Sequence, residues 1–127
     1  MTPIRALLLA GLVAATPAMA QTPAIVLVCG GIGLEESLQM RHTQAAHALT
    51  VLFATEQGGY VAGVNTRVEA ASSGAVAVNE QCGPVAQIDV ESAGTYRIRA
   101  ELDGVPREAE IDLVPEGGRS LVLRWPE

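Results

Sequence analysis

The stretch "GTYRIRAELDGVPREAEIDLV" (residues 94–114) holds two alternating runs on either side of Asp103-Gly104. This dipeptide is a strong signal for a two-residue type I′ hairpin turn, because both central positions of that turn need positive φ. If Leu102 lies opposite Val105, the register pairs Ile98 with Ala109, Tyr96 with Ile111, Arg99 with Glu108, and Arg97 with Glu110. Opposite charges then meet on one face of the hairpin. The other face is predicted to be buried and to contain Tyr96, Ile98, Leu102, Val105 and Ile111.

Short apolar or alternating runs continue outward from this hairpin in both directions. They are "LTVLFAT" (49–55), "YVAGVNTRVEA" (60–70), "AVAVNE" (75–80), "VAQIDVE" (85–91) and "GGRSLVLRW" (117–125). In the second run Val64, Thr66, Val68 and Ala70 fall on one face, and Asn65, Arg67 and Glu69 fall on the other. Strands at this spacing, separated by glycine-rich turns, predict a mostly-β sandwich or barrel over residues 49–127.

A different pattern precedes the strands, in a segment expected to span residues 24–48. "VLVCGGIGLEESLQM" (26–40) predicts a strand, a tight glycine turn and a helix from about Leu34 to His47. A buried helical stripe is expected at Leu34, Leu38, Ala45 and Leu49. The glycines also resemble a phosphate loop, but no lysine and hydroxyl residue follow Gly33. A dinucleotide fingerprint fails as well, because Glu36 stands where it requires glycine. The sequence therefore predicts no nucleotide site.

The first 20 residues have the three-part build of a secretory signal peptide. One early cation, Arg5, is followed by an apolar core and by the small-residue site Ala18-Met19-Ala20. Cleavage is expected before Gln21, which leaves one small domain, 21–127. The apolar core is too short for a membrane span, which needs about 20 residues. The sequence therefore predicts a periplasmic or secreted protein with no membrane span.

The two cysteines, Cys29 and Cys82, would then meet an oxidising compartment. An even number of cysteines in such a compartment predicts a disulfide. Closing a loop of this length stabilises a fold by about 4 kcal/mol, if the effect is chain entropy. A redox role is not expected, because the sequence has no C-x-x-C motif.

Charge and side-chain context exclude several other classes of function. Eight arginines and no lysine oppose fourteen carboxylates, a formal net charge of −6 that argues against nucleic acid as a partner. His42 and His47 are five residues apart, so they diverge on a helix, and both are interpreted as surface histidines. No serine lies in a G-x-S-x-G elbow, the serines considered being Ser37, Ser72, Ser73, Ser92 and Ser120. We therefore predict no catalytic residues, no metal site and no cofactor.

A family resemblance adds to this reading. "GTYRIRAEL" followed by a hairpin and a last strand resembles the G-x-Y-x-V/I close of carboxypeptidase regulatory-like domains, which are small sandwiches of the transthyretin (prealbumin-like) type. The mature chain is also similar to small exported proteobacterial proteins of that type. The resemblance implies a small antiparallel β-sandwich, prealbumin-like or immunoglobulin-like, and no catalytic residues. The two cysteines and the missing proline before G-x-Y depart from the common pattern.

Three functions remain open at this point. The first is a non-enzymatic exported accessory domain that binds an unknown protein partner. The second is an inhibitor or immunity-type protein that neutralises a periplasmic enzyme. The third, less favoured, is a small hydrolase. Fold resemblance alone does not decide between them.

Overall fold

Eight strands and one α-helix form residues 24–127, which are the residues that this computed structural model describes. The strands are β1 (Ile25–Gly30), β2 (Leu49–Thr55), β3 (Val64–Ala70), β4 (Val76–Cys82), β5 (Val85–Val90), β6 (Gly94–Leu102), β7 (Val105–Leu113) and β8 (Arg119–Trp125). The helix α1 (Leu34–His42) is followed by a short 3₁₀ turn, Gln44–Ala46. The predicted signal peptide, 1–20, and its cleavage site before Gln21 lie outside the described residues.

The strands form two four-stranded sheets that pack as a small β-sandwich, as the sequence predicts. The first sheet has the order β1-β5-β2-β8 and the second has the order β4-β3-β6-β7. Most neighbours are antiparallel, but β2 and β8 are parallel. β1, expected in a segment ahead of the sandwich, is instead an edge strand of the first sheet. The pairings of β1 with β5 and of β2 with β8 join strands that are distant in sequence, so no local sequence pattern predicts them.

The β6–β7 hairpin has the predicted register over its whole length. Leu102 lies opposite Val105, and Tyr96 lies opposite Ile111. Asp103 and Gly104 have φ values of 51° and 79°, the positive values that a type I′ turn requires. One member of the predicted buried face is wrong, because Val105 is 36% exposed. It follows the turn directly on an edge strand, where no further strand covers it.

The core lies between the two sheets. Its largest fully buried side chains are Trp125, Phe53, Leu49, Ile88 and Ile98, which come from both sheets. The rings of Phe53 and Trp125 pack with their centroids 5.8 Å apart. The indole of Trp125 also donates a 2.8 Å hydrogen bond to the carbonyl of Val105, so the buried nitrogen is satisfied.

Both open sides of the sandwich are closed by contacts between edge strands. On one side the predicted disulfide joins Cys29 of β1 to Cys82 of β4, with the two Cα atoms 5.1 Å apart. On the other side, side chains donate to backbone carbonyls across β7 and β8: Arg107 to Arg124 (2.7 Å), Arg119 to Asp112 (3.0 Å) and Trp125 to Val105 (2.8 Å). Such contacts occupy edge groups that could otherwise pair with another chain.

The helix departs from its prediction in length and in the face it buries. It ends at His42 rather than His47, and Leu34 and Leu38 are exposed. Its buried residue is Ser37. The predicted apolar stripe is wrong because the helix packs on a polar part of the first sheet. There the Gln87 amide donates to the carbonyl of Met40 at 2.6 Å and contacts Thr43 Oγ1 at 3.3 Å.

Candidate functional site

A cleft with mainly apolar walls opens beside the glycine turn that joins β1 to α1. Its volume is about 340 Å³, within the range of small-ligand sites. The residues that line it are Gly31, Ile32, Gly33, Leu34, Ser37, Tyr60, Ala62 and Pro84. We call it the glycine-turn cleft. It brings together three segments that are far apart in the sequence.

The glycine turn forms one wall because the backbone there lies close to β5. Gly31 has φ of 88°, and a Cβ at this position would lie 2.6 Å from Cγ2 of Val85. A side chain would therefore push the turn away from the sheet. The expectation that the glycines make a tight turn from strand to helix is confirmed. What the sequence did not indicate is that this turn lines a cleft.

A second part of the lining, Tyr60 and Ala62, comes from the loop after β2. Tyr60 forms an isolated bridge with Ala54, and the amide of Val61 donates to the carbonyl of Phe53 at 3.1 Å. These bonds anchor the loop to a buried part of the first sheet, since Phe53 and Ala54 are core residues. Tyr60 is thereby held within hydrogen-bonding distance of Arg41 on the helix.

The rim of the cleft exposes large apolar side chains. Ile32 and Leu34 are 70% and 73% exposed, and Tyr60 is about half exposed. Leu38 follows Leu34 by one helical turn and is also exposed, so both lie on the same side of α1. Grouped exposed apolar residues of this kind are typical of interaction sites, whereas isolated ones are ordinary.

A positive charge lies beside Tyr60 of the cleft lining. Nη1 of Arg41 donates to the hydroxyl of Tyr60 at 2.8 Å. No carboxylate of the described residues lies within 4.0 Å of this guanidinium. Arginine has five N–H donors, so most of those on Arg41 remain available.

The first turn of α1 is acidic. Glu35 and Glu36 occupy the first turn of α1, where carboxylates suit the helix dipole. Arg41 lies about 9 Å further along the helix axis than Glu35, at about 1.5 Å per residue. The helix therefore has an electrostatic direction, from the carboxylates of its first turn to the guanidinium beside Tyr60.

Ser37 lines the cleft and has a buried polar group that no neighbour satisfies. The residue is 1% exposed, and its Oγ has no hydrogen-bond partner among residues 24–127. A buried hydroxyl without a partner costs about 1–3 kcal/mol, so an unpaired one needs a reason. A ligand that supplies a partner is one such reason.

The charged outer face of the second sheet is a weaker candidate for a site. The predicted pairs Arg97–Glu110 and Arg99–Glu108 form, at 3.4 and 3.3 Å. Arg67 pairs with Glu69 of its own strand at 3.1 Å. Each of these arginines already has a carboxylate neighbour, so the face is largely self-neutralised.

The histidines do not belong to the cleft lining. His42 is exposed, as predicted. His47 is not a simple surface residue, because its Nδ1 lies 3.0 Å from a carboxylate oxygen of Asp89 and its side chain is 23% exposed. Within 24–127, no group of three or more His, Cys, Asp or Glu residues is placed to hold a metal ion.

Tyr60, Ala62, Pro84 and Arg41 were not singled out from the sequence. Arg41 is the one that a local signal could have found, since it lies seven residues after Leu34 and so falls on the same side of a helix. The loop residues and Pro84 reach the cleft through sheet packing between distant strands. No local spacing could reveal them.

Comparisons with protein-family models, with curated proteins and with solved structures gave no match to this chain in any of the three. No helix among residues 24–127 is long and apolar enough to cross a membrane.

Proposed function

We propose that this chain is a non-enzymatic accessory domain of the periplasm or the secreted space that binds a protein partner through the glycine-turn cleft. The observation that carries the proposal is the exposed apolar rim formed by Ile32, Leu34 and Tyr60, next to the exposed Leu38 on the same side of α1. Burying such side chains gains about 25 cal/mol per Å² of apolar surface. The mainly apolar walls of the cleft suit binding of a partner better than catalysis.

The exported setting is supported by the disulfide. Cys29 and Cys82 are bonded, and bonds of this kind persist in oxidising compartments. The predicted signal peptide at 1–20 points to the same compartment. The carboxypeptidase regulatory-like resemblance agrees with a two-sheet sandwich and remains part of the proposal.

Site-specific photo-crosslinking in the exporting bacterium tests the proposed surface. A photoreactive phenylalanine analogue at position 34 should yield a discrete adduct. The matched control is position 78, because Val78 is also exposed and apolar but lies on β4 of the other sheet. Equal adducts at both positions, or none at position 34, would overturn the proposal.

The captured protein should then be purified and its binding measured by calorimetry. Leu34→Asp is expected to weaken binding at least about tenfold, since it places a charge in an apolar contact, while Val78→Asp should leave binding unchanged. If the partner is an enzyme that loses its activity on binding, the chain acts as an inhibitor rather than an accessory domain.

A further inference from the structure

We propose that the glycine-turn cleft captures the C-terminal residue of a polypeptide, with the carboxylate on Arg41 and Tyr60 and the apolar side chain between Ile32, Leu34 and Pro84. This inference rests on the proposed function and specifies the chemistry of the partner. The inference accounts for the polar groups at the cleft as well as for its apolar walls.

The position of Arg41 argues for a carboxylate. The guanidinium is held against the Tyr60 hydroxyl at 2.8 Å and has no carboxylate within 4.0 Å among the described residues. Planar guanidinium groups bind carboxylates through paired N–H donors, and such charge-assisted bonds are stronger than neutral ones. The Tyr60 hydroxyl accepts from Arg41, so its own proton can be donated to the same ligand.

The charges along α1 fix the orientation. Glu35 and Glu36 make the first turn of the helix negative and disfavour an anion there, so the charged end of a ligand belongs at Arg41. The remaining length is lined by Ile32, Leu34, Ala62 and Pro84, which suit an apolar side chain. The ligand that fits is therefore a carboxylate joined to an apolar group.

Ser37 favours a peptide over a free acid. A fatty acid brings no polar group besides its carboxylate, whereas a C-terminal residue also brings a main-chain N–H and the preceding carbonyl. Either group could pair with Ser37 Oγ, which is buried and has no partner among the described residues. Polypeptide termini are recognised by this combination of a carboxylate clamp and a side-chain pocket.

The probes are synthetic peptides Gly-Ser-Ala-Leu with a free carboxylate and with an amidated terminus, added to the isotope-labelled protein with its disulfide intact. NMR titration should move the amide signals of Gly31–Leu34 and Tyr60–Ala62. The acid should bind at least about tenfold more tightly than the amide, because one charge-assisted contact is lost on amidation.

Three variants distinguish capture of a C-terminal residue from nonspecific apolar binding. Arg41→Gln should bring the ratio of acid to amide affinity to about one, since it removes the clamp that distinguishes them. Ser37→Ala should weaken both peptides about threefold or more without lowering the melting temperature, because the hydroxyl has no partner to lose. Glu35→Gln, the matched control, should leave the acid bound at least as tightly as before.

The inference fails if the acid and the amide bind equally, or if Arg41→Gln leaves their ratio unchanged. Displacement of the peptide by octanoate at the same concentration would assign the cleft to free acids and overturn it also. A third outcome is that position 34 crosslinks to a partner, and that this partner still binds after its C-terminal residue is removed. That outcome would retain the proposed function and reject the C-terminal capture.

Discussion

Tyr96 and Arg97 are neighbours in sequence and lie in opposite environments. Tyr96 is 4% exposed and donates to the carbonyl of Ser92 at 2.7 Å. The side chain of Arg97 is 55% exposed and contacts Glu110 at 3.4 Å. Successive residues of a strand face opposite sides, so this pair reports directly on the strand's orientation.

Replacing these two residues should give very different changes in the free energy of unfolding. Tyr96→Ala is expected to cost about 3–5 kcal/mol, as deletion of a large buried aromatic does. Arg97→Ala should cost less than about 1 kcal/mol, because the ion pair is exposed. Tyr96→Phe removes only a hydrogen bond and should cost about 1 kcal/mol. Denaturant melts measure all three, and a larger loss at Arg97 would mean that the strand faces are reversed.

Leu34 and Leu38 are exposed, although their spacing predicts a buried stripe on the helix. The spacing predicts that the two side chains share a side of the helix, which is correct. It cannot predict what that side meets. The sheet beneath α1 presents Gln87 and Thr50, so the helix is held by polar contacts, Leu34 lines the cleft and Leu38 stays exposed.

Among the helices and strands, the β6–β7 hairpin was the most predictable part of the fold. Its strands are adjacent in sequence, its turn residues fix the register, and its charges pair across the strands. The parallel pairing of β2 with β8 had no such signal, since dozens of residues separate the two strands. The cleft depends on the same long-range packing, so only its glycine turn could be recognised as an element in advance.

Gly104 tests the turn through backbone conformation alone. It has φ of 79°, and a Cβ at this position would have no atom within 4 Å. Because the Cβ itself meets no neighbour, the main cost of Gly104→Val is expected from positive φ, which a β-branched residue resists, at about 1–2 kcal/mol. Gly94, at the start of β6, has open space to 4.0 Å and no positive φ, so Gly94→Val should be nearly neutral. Thermal melts of the two variants compare them, and equal losses would refute the turn assignment.

The two closed sides of the sandwich differ in kind. One is covalent, through Cys29 and Cys82, and the other consists of hydrogen bonds to edge carbonyls. A small domain of this size has a folding free energy of only about 5–15 kcal/mol. The disulfide can therefore contribute a large share of the folding free energy.

The double variant Cys29→Ala, Cys82→Ala should lose about 4 kcal/mol of stability, because the unfolded chain regains the entropy of a loop of this length. Arg119→Ala removes one hydrogen bond at the opposite side and should lose about 1 kcal/mol. Urea unfolding of the oxidised protein gives both values. Equal stability of the double variant and the parent chain would contradict the structural role of the bond.

The position of this bond also governs how the domain responds to tension. A load applied to residues 24 and 127 passes across the Cys29–Cys82 link, so residues 30–81 are shielded from it while the bond is intact. At about 3.5 Å per extended residue, the oxidised chain can straighten to only ~180 Å, against ~360 Å after reduction. Single-molecule stretching with and without a reductant would measure this difference, and equal lengths would refute it. Half of the described chain, including the glycine turn, α1 and Tyr60, therefore cannot be drawn out by a pull on the ends.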